Sequence, residues 1–193
     1  MKDDGDARII PHAKVPYTAA VLIPPERIWE PIQAIRRQHD PQIARWMPHV
    51  TLLYPFVETA VLAEAAHTLR PAVQVFPSFT VRLSEFDCFI HSRTSATIWL
   101  RPAPSDPVVR LQSRLLGLVP WCDDTGRFAG GFTPHLSVGR WPEAGARQAA
   151  AELRKSWKPL DWQVESVCLI ARPQTGGQPF AVHHVLALAG ASG

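Results

Sequence analysis

The sequence is short of cysteine, short of lysine and without a long apolar run. Its three cysteines, Cys88, Cys122 and Cys168, lie far apart with no C-x-x-C pair. That spacing supports neither a disulfide framework nor a cysteine-based zinc site, and reduced thiols are expected. No apolar stretch is long enough to span a bilayer, and the opening Met1-Lys2-Asp3-Asp4-Gly5-Asp6 is acidic where a secretory leader would be apolar. A cytoplasmic protein with no membrane segment is therefore the default expectation. Lysine is scarce because 16 of the 20 basic residues are arginine, a side chain suited to bidentate contact with phosphate. These arginines are scattered rather than gathered into a stripe, so the net charge of +3 permits an anionic ligand without demanding one.

With 46% hydrophobic and 19% charged residues in 193, the chain has the make-up of an ordinary globular protein, long enough for one real core. One folding unit over residues 15–189 behind an N-terminal tail of residues 1–14 is the expected organisation, with a monomer as the simplest state. Val15 to Ile23 reads as a strand, and Pro24-Pro25-Glu26 opens a helix to about His39. His49 to Phe56 is apolar and β-branched and reads as a strand, and Glu58 to about Leu69 as a helix stopped by Pro71. Phe79–Ile90 and Thr97–Arg101 read as two strands of a hairpin. A helix then starts with Asp106 as its cap and Pro107 in its first turn and runs to Leu118. A glycine-rich loop, 123–131, precedes a strand at His135–Arg140, a helix over 142–157, and closing strands over 164–172 and 180–189. The order is β-α-β-α-β-β followed by α-β-α-β-β, so the second half resembles the first with its opening strand missing. This predicts an α+β fold of two similar lobes, each a small, mostly antiparallel sheet flanked by helices, around a central cleft.

Two segments stand out against this background. Pro48-His49-Val50-Thr51-Leu52 and Pro134-His135-Leu136-Ser137-Val138 each read proline, histidine, apolar, hydroxyl, apolar, one in each half. Side chains alternate across a strand, so each histidine shares a face with its hydroxyl partner while Val50, Leu52, Leu136 and Val138 pack on the other side. If the halves are related by a pseudo-two-fold axis, the two pairs converge on one cleft. Diester cleavage needs a base for the attacking oxygen, an acid for the leaving oxygen, and donors for the phosphoryl oxygens. Two histidines and two hydroxyls supply all three.

These motifs, within Arg45 to Phe56 and Phe132 to Arg140, resemble those of the 2H phosphoesterases, also called the 2′-5′ RNA ligase superfamily, defined by two H-x-T/S motifs. A lone H-x-T carries little information; two in matching halves carry much. The resemblance implies a bilobal fold with both histidines at the cleft floor, no metal and no cofactor. Its substrates are nucleotides or RNA ends with a ribose-linked phosphate, such as 2′,3′-cyclic phosphates or 2′-5′ diesters. It also assigns His135 as base and His49 as acid, with Thr51 and Ser137 as donors to the phosphoryl oxygens. Ser137 departs from the commoner threonine, keeping the hydroxyl but losing the methyl that fixes its rotamer.

Other residues carry weaker signals. Arg140 lies three positions past Ser137, so simple alternation puts it on the opposite face unless Gly139 bulges or ends the strand; a phosphate ligand and a solvated strand-end arginine are the two readings. Tyr54 and Phe132 flank the motifs and are candidates to stack on a nucleobase, although core packing competes for both, as it does for Phe56 and Trp141. His183-His184 points to two faces and reads as structural, along with His12, His39, His67 and His91. Two other classes of function remain open, a non-catalytic RNA-end or nucleotide-binding module using the same cleft, and a histidine-based metal hydrolase. The matched motifs hold no carboxylate, which weakens the second.

Overall fold

The computed structural model of the protein describes residues 13–124 and 130–191. Most of the expected tail and the centre of the glycine-rich loop therefore lie outside the described residues. In chain order the elements are β1 (Lys14–Val15), β2 (Thr18–Leu22), α1 (Trp29–His39), β3 (Val50–Leu53), β4 (Phe56–Val57), α2 (Leu62–Gln74), β5 (Phe79–Ser92), β6 (Ser95–Ala103), α3 (Asp106–Leu116), β7 (Leu136–Trp141), α4 (Glu143–Ser156), β8 (Leu160–Val164), β9 (Ser166–Ala171) and β10 (Ala181–Ala187).

The strands form two four-stranded sheets, β10-β9-β2-β3 and β7-β6-β5-β8, with every neighbouring pair antiparallel, plus the short pair β1-β4. The α+β, two-sheet architecture predicted from the element order is the one found. Its chain path differs from the prediction. β2-α1-β3-α2 and β6-α3-β7-α4 occupy equivalent places, so the second repeat does have an opening strand, the second arm of the long hairpin. The expected strand over 164–172 is two strands. β8 ends at Val164 in the second sheet, and β9 starts at Ser166 and crosses, with β10, into the first. The sheets are thus completed by exchange along the chain, which local patterning cannot show.

Burial explains the elements. β2 is buried along its whole length because both faces are covered. Ala20 and Leu22 join the main core, whereas Ala19 and Val21 join Cys168, Ile170 and Phe180 in a smaller cluster on the other face, capped by Ile23, Trp46 and Met47. The main core is continuous from Leu22, Val50 and Leu69 of the first sheet and its helix to Leu83, Ile98, Leu111 and Val138 of the second. α3 buries Val108, Leu111, Gln112 and Leu115 at helical spacing.

Two helix boundaries differ from expectation. α2 runs through Pro71 to Gln74 because Leu69 and Val73, one turn apart, are both fully buried, and this packing outweighs the backbone bond that proline forgoes. The α3 cap position is Ser105, not Asp106, and its hydroxyl donates to the Pro102 carbonyl at 2.7 Å rather than capping the helix.

Candidate functional site

β3 and β7, the strands that follow the two motif histidines, are edge strands of different sheets, and they touch each other. Helices cross the junction in both directions, with α1 packed on β7 and α3 on β3. Gly139 marks how close the first crossing is. Its φ is +151°, and a Cβ there would lie 2.5 Å from the His39 Cβ and 2.7 Å from that residue's carbonyl carbon and oxygen. The end of α1 is pressed against bare backbone, and the His39 ring stacks on Trp141 beside it at 4.2 Å.

The two histidines are held in the same way. His49 Nδ1 lies 2.7 Å from the Met47 carbonyl oxygen, and His135 Nδ1 lies 2.8 Å from the Thr133 carbonyl oxygen. A carbonyl can only accept, so each Nδ1 carries hydrogen and each Nε2 is left with its lone pair. Trp46 stacks on His49 at 4.6 Å and 17°, whereas Phe89 and Trp99 meet His135 edge-on at 4.9 and 5.9 Å.

A cleft of about 230 Å³ lies between the motif strands, lined by His49, Thr51, Tyr54, Ser137 and Arg140, and by Arg36, Asp40, Gln42, Trp46, Thr97 and Gly139. A matched pair of bulges shapes it. Against β2, the register of β3 jumps from Ala20↔Leu53 to Val21↔Thr51, so Leu52 is the extra residue. Against β6, that of β7 jumps from Ile98↔Gly139 to Trp99↔Ser137, so Val138 is the extra residue. Each bulge returns the third residue after the hydroxyl to the cleft face. Tyr54 and Arg140 therefore occupy equivalent positions, a phenol on one wall and a guanidinium on the other. The Tyr54 hydroxyl donates to the Pro16 carbonyl at 3.2 Å.

The surroundings disfavour the charged form of both imidazoles. Burial pushes His49 down to about 4, helped by the charge of Arg36 and the nearness of His135 and opposed by the Met47 hydrogen bond and by Asp40. Burial likewise pushes His135 below the ordinary histidine value, against its bond to Thr133.

Of the residues singled out from sequence, His49, Thr51, Tyr54, Ser137 and Arg140 line one cleft. His135 is not part of its lining, yet it lies within electrostatic reach of His49 and two residues before Ser137. Phe132 is not brought to the cleft lining; it is half-buried against the main core. His183 and His184 span a register shift in β10, and among the described residues no three His, Cys, Asp or Glu side chains converge as metal ligands. The sequence reading missed Arg36, Asp40 and Trp46. The one available signal was an arginine four residues after Ile32 on the buried face of α1.

Comparison with known proteins places the chain by fold and family. A "Putative phosphoesterase" of Geobacillus kaustophilus is 31% identical over 125 residues, 62% of this chain and 66% of that protein. The chain thus aligns with just under two thirds of that relative's length. A second, from Geobacillus sp., is 28% identical over 158 residues, 80% of this chain and 87% of the relative. Among solved structures, Escherichia coli LigT complexed with 3′-AMP superposes with a TM-score of 0.61 at 20% identity, covering 91% of this chain and 99% of LigT. TT0787 of Thermus thermophilus gives 0.62 at 18% identity, covering 90% and 98%. Both show the fold. A model of the 2′-5′ RNA ligase superfamily matches residues 24–176, which hold both histidine motifs, the whole second sheet and two of the four strands of the first. The chain belongs to the 2′-5′ RNA ligase superfamily.

Proposed function

We propose that the protein is a metal-independent phosphoesterase that cleaves 2′,3′-cyclic phosphates or 2′-5′ ribose-linked phosphodiesters with His49 and His135 as its acid and base. The observation that carries this reading is the matched pair of imidazoles. Each is anchored through Nδ1 to the carbonyl two residues upstream and keeps a free Nε2, on abutting strand edges that also present two hydroxyls and a guanidinium. The 3′-AMP in the LigT complex shows a nucleotide bound to a protein of this fold, which supports a nucleotide or RNA end as substrate.

In the reaction, an oxygen of water or of a ribose hydroxyl attacks phosphorus and loses its proton to one imidazole. The bond to the leaving ribose oxygen breaks, and that oxygen takes a proton from the other. Thr51, Ser137 and Arg140 hold the non-bridging oxygens as charge builds on them. Burial, and after it the Arg36 guanidinium, opposes a proton on His49, so we assign His49 as the base and His135 as the acid, the reverse of the roles implied by family resemblance. The bound phosphate anion supplies the field that holds the acid's proton.

Purified protein assayed in EDTA against 2′,3′-cyclic nucleotides and 2′-5′-linked dinucleotides tests the proposal. Turnover that survives the chelator, with a bell-shaped pH dependence of kcat/KM, is expected. Because both free imidazoles sit below the ordinary value, its maximum falls on the acid side of neutrality. Activity that vanishes with chelator and returns with zinc or manganese would refute the mechanism; tight nucleotide binding without turnover would make the cleft a binding module.

A further inference from the structure

Resting on the two-histidine reading, we infer that Arg36 and Asp40 are positioning residues, an ion pair at the C-terminal end of α1 that fixes the His49 loop. The helix has its charge in the wrong place for a simple amphipathic element. Ile32 and Arg36, one turn apart, are its two fully buried residues, and the Arg36 side chain is only 2% exposed. A buried cation is costly unless its donors are matched, and here they are. Nε donates to Asp40 Oδ2 at 2.8 Å, Nη1 to Gln33 Oε1 at 3.0 Å and Nη2 to the Trp46 carbonyl at 2.8 Å, and Nη2 lies 2.7 Å from Asp40 Oδ2 as the ion pair. Asp40 uses its other oxygen to accept the Gln42 backbone N–H at 2.8 Å.

Those bonds close on the catalytic loop. Trp46, whose carbonyl Arg36 holds, stacks its indole on the His49 ring, and the next carbonyl, Met47, anchors His49 Nδ1. One guanidinium therefore fixes the residue that sets the ring plane, and its neighbour sets the tautomer. A hydrophobic side chain of equal volume would fill the site without fixing that carbonyl. The pair also acts through charge, since Arg36 and Asp40 both line the cleft beside His49. The other titratable or charged groups around His49 are Tyr54 on its own side and His135 and Arg140 from the second lobe. None of these belongs to α1, so changes in the pair leave them in place.

The test is to follow the His49 ring signals by NMR during pH titration of folded Arg36→Gln, Arg36→Lys and Asp40→Asn variants, alongside steady-state kinetics. Opposite shifts are expected: Arg36→Gln raises the His49 midpoint and Asp40→Asn lowers it. The acidic limb of kcat/KM, which reports the base, moves with them. Arg36→Lys restores the midpoint, because the charge is back, but not kcat, because an ammonium cannot bond Asp40, Gln33 and the Trp46 carbonyl together. A misplaced His49 loop costs kcat by up to about 10²-fold with KM little changed. If Arg36→Gln does not fold, Asp40→Asn, nearly isosteric, carries the test alone. Midpoints that do not move, or that move in the same direction in both variants, overturn the inference. The NMR reading needs no turnover, so it separates this failure from failure of the proposed activity.

Discussion

Acidification is a direct probe of the half-buried His49. Its imidazole is held down to about 4, chiefly by burial, whereas in the unfolded chain it returns to the ordinary value of about 6.5. The unfolded state therefore binds this proton first, and the histidine's contribution to stability is fully present above about pH 6.5 and is lost as pH falls from there toward 4. Between pH 7.5 and pH 4.5 the loss from this one group is about 2.5 kcal/mol, a large share of the margin of a typical domain. His135 adds to it in the same direction. The measurement is urea unfolding at closely spaced pH values for the native sequence and for His49→Asn. The asparagine amide keeps a donor where Nδ1 meets the Met47 carbonyl but has no proton to gain. The variant's stability curve is expected to be flatter across this window, with the gap between the two proteins narrowing by about 2.5 kcal/mol on acidification. A gap independent of pH would refute the claim that the folded protein holds His49 below the ordinary histidine value.

The remaining predictions concern catalysis and the lobe junction. His49→Ala and His135→Ala each lower turnover by roughly 10²–10⁴-fold with the fold retained by circular dichroism, while Thr51→Val and Ser137→Ala cost less; near-normal rates in both histidine variants would eliminate the mechanism. Gly139→Ala destabilises the protein by at least about 2 kcal/mol, because a methyl there meets the His39 backbone at 2.7 Å and the φ of +151° suits only glycine. A denaturation midpoint equal to that of the native sequence would show that α1 does not press on β7.

The histidine-hydroxyl motifs were legible in the sequence because strand alternation is strictly local: a period of two puts His49 with Thr51 and His135 with Ser137 whatever the rest of the chain does. The matching halves told that the motifs belong together, and the cleft confirms that Thr51 and Ser137 share it. Alternation failed where the strands bulge. The sequence raised a bulge or a strand end at Gly139 as the condition for Arg140 to reach the cleft, and the bulge falls one residue earlier, at Val138; it held no comparable sign that Leu52 would bring Tyr54 there by the same device.

Chain crossing was beyond local pattern altogether. Val164 to Arg172 reads as one apolar strand, yet it divides at Glu165 between two sheets, because sheet membership is settled by which edge is left to pair. Pro71 looked like a stop and is not, since burial of Leu69 and Val73 outweighs a local preference. Phe132 looked like a cleft aromatic and packs on the core instead. The sequence by itself determined the chemistry on offer, two imidazoles and two hydroxyls at fixed offsets. Only the tertiary structure decided what surrounds them, because the Arg36–Asp40 pair, the Trp46 stack and the neutral state of His49 depend on a helix, a loop and two sheet edges meeting in space.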